Sequence, residues 1–82
     1  LQEAILNSAN LDNTNLTRAD FTGAQLDRTD FGEAYLEDTL FIGANMNLAD
    51  LSRVIYTSAN FEGADLCGAL IDFGDYRHQC VD

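Results

Sequence analysis

The side chains in this chain that can move a proton, hold a metal or attack a substrate are unevenly supplied. Fourteen are carboxylates, four are arginines and none is lysine, giving a formal net charge of −10 at pH 7. There is one histidine, His78, and there are two cysteines, Cys67 and Cys80. A lone histidine has no second imidazole to share a metal with, and no Ser/His/Asp arrangement can be assembled around one residue of a C-terminal tail. The carboxylates are the remaining source of chemistry. Most of them recur at regular positions, which marks them as part of a repeat and not as a paired acid and base. The chain is expected to be non-enzymatic, with no cofactor and no metal.

What positions those carboxylates is a step of five. The stretch ANLDN-TNLTR-ADFTG (residues 9–23) repeats a small residue, then Asn or Asp, then Leu or Phe, then two polar residues. Followed outward, the large apolar position falls on Leu1, Leu6, Leu11, Leu16, Phe21, Leu26, Phe31, Leu36, Phe41, Met46, Leu51, Tyr56, Phe61, Leu66, Ile71 and Tyr76. In a chain that is 46% hydrophobic, an unbroken series of this length has odds of roughly 10⁻⁵ by accident. The residue two before each is small, from Ala4 to Gly74. Neither standard element can use such a pattern. Five residues advance a helix by about 500°, which scatters the series round every face. On a single strand, a step of five changes face each time. The chain must therefore turn a corner within every unit, so that the large residue and the small one two before it both point inward.

A slower beat sets the number of corners. Phe21, Phe41 and Phe61 lie twenty residues apart, and Gly23, Gly43 and Gly63 follow each by two. Twenty residues are four units, so like residues stack in columns on a square coil. The glycines suit corners with positive φ, as in a type II turn. Successive coils are expected about 4.8 Å apart with parallel backbone hydrogen bonds, making an all-β solenoid of about four coils.

The units ADFTG, ANFEG and ADLCG resemble the pentapeptide-repeat family, and the resemblance runs over residues 2–73 without a register break. It implies a right-handed quadrilateral β-helix over residues 1–73, with 74–82 as a tail or cap. It also implies two functional directions. Some members of the family act on DNA gyrase by resembling DNA in shape and charge. Others occur in cyanobacteria and in the chloroplast thylakoid lumen. Leu1 is already in register and is not methionine, so the chain is read as a fragment or processed product of a longer repeat protein. No apolar run is long enough to insert in a membrane.

Wrapped on a square, the acids concentrate on one side. Asp12, Asp30, Glu33, Asp50 and Asp72 share it with Arg53 alone, with Asp30 stacked on Asp50 and Glu33 on Arg53. Such a charge opposes direct nucleic-acid binding. It suits either a solubilising exterior whose Asp side chains bond backbone N–H groups at the corners, or an acidic decoy for a DNA-binding enzyme such as gyrase. Calcium at Asp30 and Asp50 lacks the usual chelating loop.

Cys67 is expected to face outward, with Cys80 on a different side of an unbroken square. Both lie in the last sixteen residues, around the point where the repeat decays. A tail of residues 74–82 folded over the open end would allow a Cys67–Cys80 disulfide; the alternative is two unconnected thiols. A disulfide would mean an oxidising compartment, and the family resemblance makes the thylakoid lumen the favoured one. Outward apolar residues break the polar exterior at Tyr35, Leu40, Ile42, Leu48 and Ile55. Of these, Tyr35, Leu40, Ile42 and Ile55 are expected to neighbour one another as a surface for an unknown protein partner or for self-association. The overall expectation is a structural or protein-interaction scaffold.

Overall fold

Every fifth residue turns the chain through a corner, and the bonds that hold each corner are the same. In the computed structural model, which describes residues 2–71, the N–H of the small residue donates to the carbonyl of the large residue three before it. Ala24 bonds Phe21 at 2.9 Å, and Ala44 bonds Phe41 at 3.0 Å. The residue just before the small one has positive φ at every described corner, which is the type II arrangement. Glycine holds that place at Gly23, Gly43, Gly63 and Gly68, with φ between 66° and 74°. The other ten corners manage without it, at Glu3, Ser8, Asn13, Arg18, Arg28, Glu33, Asp38, Leu48, Arg53 and Ser58.

A left-handed non-glycine residue costs about 1–2 kcal/mol, so each corner needs compensation. Three bonds supply it. One is the turn bond just described. A second runs from the left-handed residue's own N–H to the next coil, as from Asn13 to the Gly32 carbonyl at 2.9 Å. The third comes from the Asn or Asp before the large residue, whose Oδ1 accepts the N–H two positions on. Asn10, Asn15, Asp20, Asp30, Asn45, Asp50, Asn60 and Asp65 all do this, at 2.8–3.2 Å. The periodic Asx is thus a corner brace, as its position in the repeat implies.

Between corners the chain pairs with itself one coil on. Parallel bridges join residues twenty apart, from Ile5 with Gln25 through Asn10 with Asp30 and Leu40 with Asn60 to Asn45 with Asp65. Two of these segments are long enough to be strands, β1 (Asp50–Leu51) and β2 (Leu70–Ile71), paired in parallel with Asp50 opposite Leu70. The twenty-residue coil of four columns is therefore present in the backbone bonding itself.

The interior is the two inward positions and nothing else. Phe21, Leu26, Phe31, Leu36, Phe41, Met46 and Leu51 are fully buried, with Ala24, Ala34, Ala44 and Ala49 beside them. Phe21, Phe41 and Phe61 stack nearly parallel, with centroids 5.3 and 5.1 Å apart. Phe31 meets Phe21 and Phe41 edge-on. Two threonines take the small position at 0% exposure, and each hydroxyl donates at 2.9 Å to a carbonyl of the preceding coil, Thr29 to Leu6 and Thr39 to Leu16. The ladder weakens toward the first coil, where Leu6, Leu11 and Leu16 are only partly buried.

One residue of the large column is not buried. Tyr56 stands in the large-residue register above Leu36, yet it is 45% exposed. It is the outermost described residue of its column, as Leu16 is at the other end, where burial is also partial.

Candidate functional site

Four of the five acids of the acidic side fall among the described residues. Asp12, Asp30, Gly32, Glu33, Asp50, Ser52 and Arg53 line one shallow depression of about 350 Å³; Asp72 lies outside the described residues. Position 32 within it has no side chain. A Cβ there would stand 3.2 Å from Asp30 Oδ1, inside the brace that Asp30 makes to the Gly32 N–H at 2.8 Å. One coil on, Asp50 accepts both the N–H and the hydroxyl of Ser52. Asp30 and Asp50 are bridge partners, so two carboxylates sit one above the other. Glu33 pairs with Arg53 at 3.6 Å, but both side chains are well exposed and the pair contributes little. Among the described residues no group of three or more His, Cys, Asp or Glu is placed to hold a metal.

These carboxylates act first as acceptors for their own turns. Asp50→Ala should therefore cost about 1 kcal/mol, by leaving the Ser52 N–H without its partner. Asp50→Asn keeps an acceptor oxygen and removes the repulsion with Asp30, so it should be neutral or slightly stabilising. Urea titrations of the two variants separate the roles, and equal losses would mean that the charge itself is what the site needs. Asp20 shows the same bracing most strongly. The Thr22 hydroxyl at 2.6 Å and the Thr22 N–H at 3.0 Å hold its carboxyl below the ordinary value of 3.8, helped by Gln2.

The apolar residues divide between two faces. Tyr35 and Ile55 are bridge partners, at 46% and 42% exposure. Leu40 and Ile42 are half-buried on the next face, where Leu40 pairs with Asp20 and Asn60. Between the two faces runs the corner Leu36-Glu37-Asp38-Thr39, closed by the Thr39 N–H on the Leu36 carbonyl at 3.1 Å. Glu37 and Asp38 are both exposed there. The coil thus joins Tyr35 to Ile55 directly and places Leu40 and Ile42 across an acidic edge from them.

The family model for pentapeptide repeats, described as eight copies, matches residues 1–32, 20–55 and 34–71. The chain belongs to the pentapeptide-repeat family. Solved pentapeptide-repeat structures share its coil. The protein Rfr23 from the cyanobacterium Cyanothece 51142 superposes with a TM-score of 0.86 at 29% identity, over 88% of this chain and 50% of its own. HetL from the cyanobacterium Nostoc, a protein involved in heterocyst differentiation regulation, gives 0.86 at 30% identity, over 92% of this chain and 35% of its own. A pentapeptide-repeat protein of the Arabidopsis thaliana thylakoid lumen gives 0.65 at 24% identity, over 93% and 60%, a likeness of fold alone. The chain spans half the length of the first and about a third of the second. No curated protein sequence matches it significantly.

Two features of this pentapeptide repeat lay beyond sequence reasoning. Leu48 occupies a corner, and a Cβ on Gly68, one coil on, would stand only 2.6 Å from its Cδ2. The leucine lies over the glycine, so Leu48 is packing between coils as well as exposed apolar surface. Tyr56 is the other, at 45% exposure in the large-residue register above Leu36. Cys67 is half-buried at the position after Leu66, and its N–H donates to Asp65 Oδ1 at 3.1 Å within the corner. Cys80 and His78 lie outside the described residues, as does the tail at 74–82.

Proposed function

We propose that this chain is a non-enzymatic, structural or protein-interaction scaffold, built as a right-handed quadrilateral β-helix over residues 1–73 and finished by 74–82 as a tail or cap. One observation carries the reading. The periodic aspartates serve the coil, with Asp20, Asp30, Asp50 and Asp65 each holding their own corner, while the interior is a continuous ladder of Phe, Leu and Ala. What is left for function is the exterior, where the polar rule is broken at Tyr35, Leu40, Ile42 and Ile55. HetL, whose coil superposes on this one, is involved in heterocyst differentiation regulation, which fits a role through contacts. Partner capture tests the reading. The immobilised chain should retain a protein from its native compartment that an Ile42→Ser, Ile55→Ser double variant of equal melting temperature does not. An identical set of captured proteins would leave the patch without a role.

A second reading has its own observation, the convergence of Asp12, Asp30, Glu33 and Asp50 on one depression. It makes that side an acidic decoy for a DNA-binding enzyme such as gyrase. A supercoiling assay decides it, since no inhibition at tens of micromolar removes the decoy.

A Cys67–Cys80 disulfide is proposed as the pin of the cap, contributing about 3 kcal/mol. Its presence would place the chain in an oxidising compartment, for which the family resemblance favours the thylakoid lumen. Alkylation of non-reduced protein followed by mass measurement tests it, and two labelled thiols would remove both the pin and the compartment.

A further inference from the structure

The corner at Glu37 and Asp38 is a convex edge, acidic at its apex and apolar on both flanks. Tyr35 and Ile55 lie on one side of it, and Leu40 and Ile42 on the other. From this arrangement we propose the chemistry of the partner: a protein segment with a basic pair between two apolar residues, lying across the corner. The proposal rests on the scaffold reading above and names what that scaffold would hold.

Three properties select this occupant. First, the charge is one-sided. Glu37 and Asp38 are exposed at the apex, Asp20 and Asn60 flank Leu40 on its own face, and Glu62 follows Ile42 one coil on. The cations nearby are Arg18, one coil before Asp38, and Arg53, which is paired with Glu33. Carboxylates therefore outnumber cations around the patch, and the chain as a whole carries −10. Nucleic acid and anionic membranes are repelled by such a surface, whereas a basic protein segment is steered to it. Second, a second copy of the chain fits badly. Each copy carries −10, and the acidic depression at Asp12, Asp30, Glu33 and Asp50 would repel the Glu37 and Asp38 edge of another. Third, the backbone of the corner is fixed. Asp38 donates its N–H to the Thr57 carbonyl at 3.1 Å, and Glu37 accepts from the Arg18 N–H at 2.9 Å. The two carboxylates are presented at a set spacing and lose little order on binding. A guanidinium reaching the apex also passes the Tyr35 ring, where its charge is favoured over the face.

The test is a titration of the isotopically labelled chain with a synthetic peptide containing Leu-Arg-Arg-Leu. Amide shifts are expected at Tyr35, Glu37, Asp38, Leu40 and Ile55. Affinity should fall about tenfold when both leucines of the peptide become serine. It should fall by a similar factor, about tenfold, in a Glu37→Gln, Asp38→Asn variant, which also loses salt dependence. An Asp30→Asn, Asp50→Asn variant should bind as the parent does. Melting curves identify any variant that loses its fold, and the serine peptide needs no variant at all. Shifts centred on Asp12, Asp30 and Asp50 would overturn the proposal, as would equal binding of the serine peptide, because either means bulk charge attraction. Sedimentation showing a dimer that Ile42→Ser, Ile55→Ser dissolves would also overturn it in favour of a second copy. If the peptide fails while the native capture still distinguishes parent from double variant, the scaffold stands and this partner chemistry falls.

Discussion

Phe41→Ala is expected to lower the unfolding free energy by about 3–5 kcal/mol. The ring is fully buried and sits in the middle of a stack, 5.3 Å from Phe21 and 5.1 Å from Phe61, with the edge of Phe31 at 5.6 Å. Its removal opens a cavity that neither neighbouring ring can fill, because each belongs to a coil whose backbone is pinned at every corner. A solenoid gives this loss an extra consequence. Coils touch only their neighbours, so stability is nearly a sum of coil and interface contributions. A hole in the middle coil weakens two interfaces together. Phe61→Ala, toward one end and already 6% exposed, should cost less than Phe41→Ala. Glu62→Gln, on the outside of the same column region, should stay within about 0.5 kcal/mol of the parent. Urea unfolding of the three variants checks the order. Similar midpoints for Phe41→Ala and Glu62→Gln would contradict the inward ladder.

Much of this architecture is legible in the residues, for a physical reason. A coil of fixed length makes every inward position recur at the same interval, so Phe21, Phe41 and Phe61 announce the twenty-residue turn before any bond is drawn. The Asx braces are legible too, since a short polar side chain before each large residue has a backbone N–H within reach. The corners are less so. Gly23, Gly43 and Gly63 signal positive φ, but Arg18, Arg28 and Leu48 adopt it without any mark in the sequence. Their conformation is imposed by bonds to the next coil, and those are long-range facts. The two faces of the apolar patch, by contrast, follow from the period. A spacing of twenty predicts that Tyr35 meets Ile55, since columns are fixed by the period. The same period sets Leu40 between Asp20 and Asn60 on the next side, round the corner at Glu37 and Asp38. Tyr56 shows a different limit: the register gives a residue its column, while its burial depends on what is stacked on either side of it.

The small column makes an equally exacting demand. Ala24, Ala44 and Ala64 stand one above another at 9% exposure or less, on coils separated by about 4.8 Å. Ala44→Leu adds three carbons where the neighbours above and below are a coil spacing away and the Phe ladder closes the side. The backbone cannot retreat, because the Ala44 N–H closes its corner on Phe41 and the Asn45 N–H bonds the Ala24 carbonyl at 2.9 Å. The added volume has to be taken as strained rotamers or a displaced ring, at about 1–3 kcal/mol. Threonine at the same position is the informative contrast. Thr29 and Thr39 already occupy the small position fully buried, each bonding a carbonyl twenty-three residues before it. By that geometry Ala44→Thr directs its hydroxyl at the Phe21 carbonyl and adds two atoms instead of three. It should lie at least about 1 kcal/mol above Ala44→Leu in stability, since a buried hydroxyl with an acceptor costs little. Thermal unfolding of both variants measures the gap. If leucine is tolerated as well as threonine, the small column has room that a close-packed coil does not allow, and the limit on the repeat's small residue is not volume.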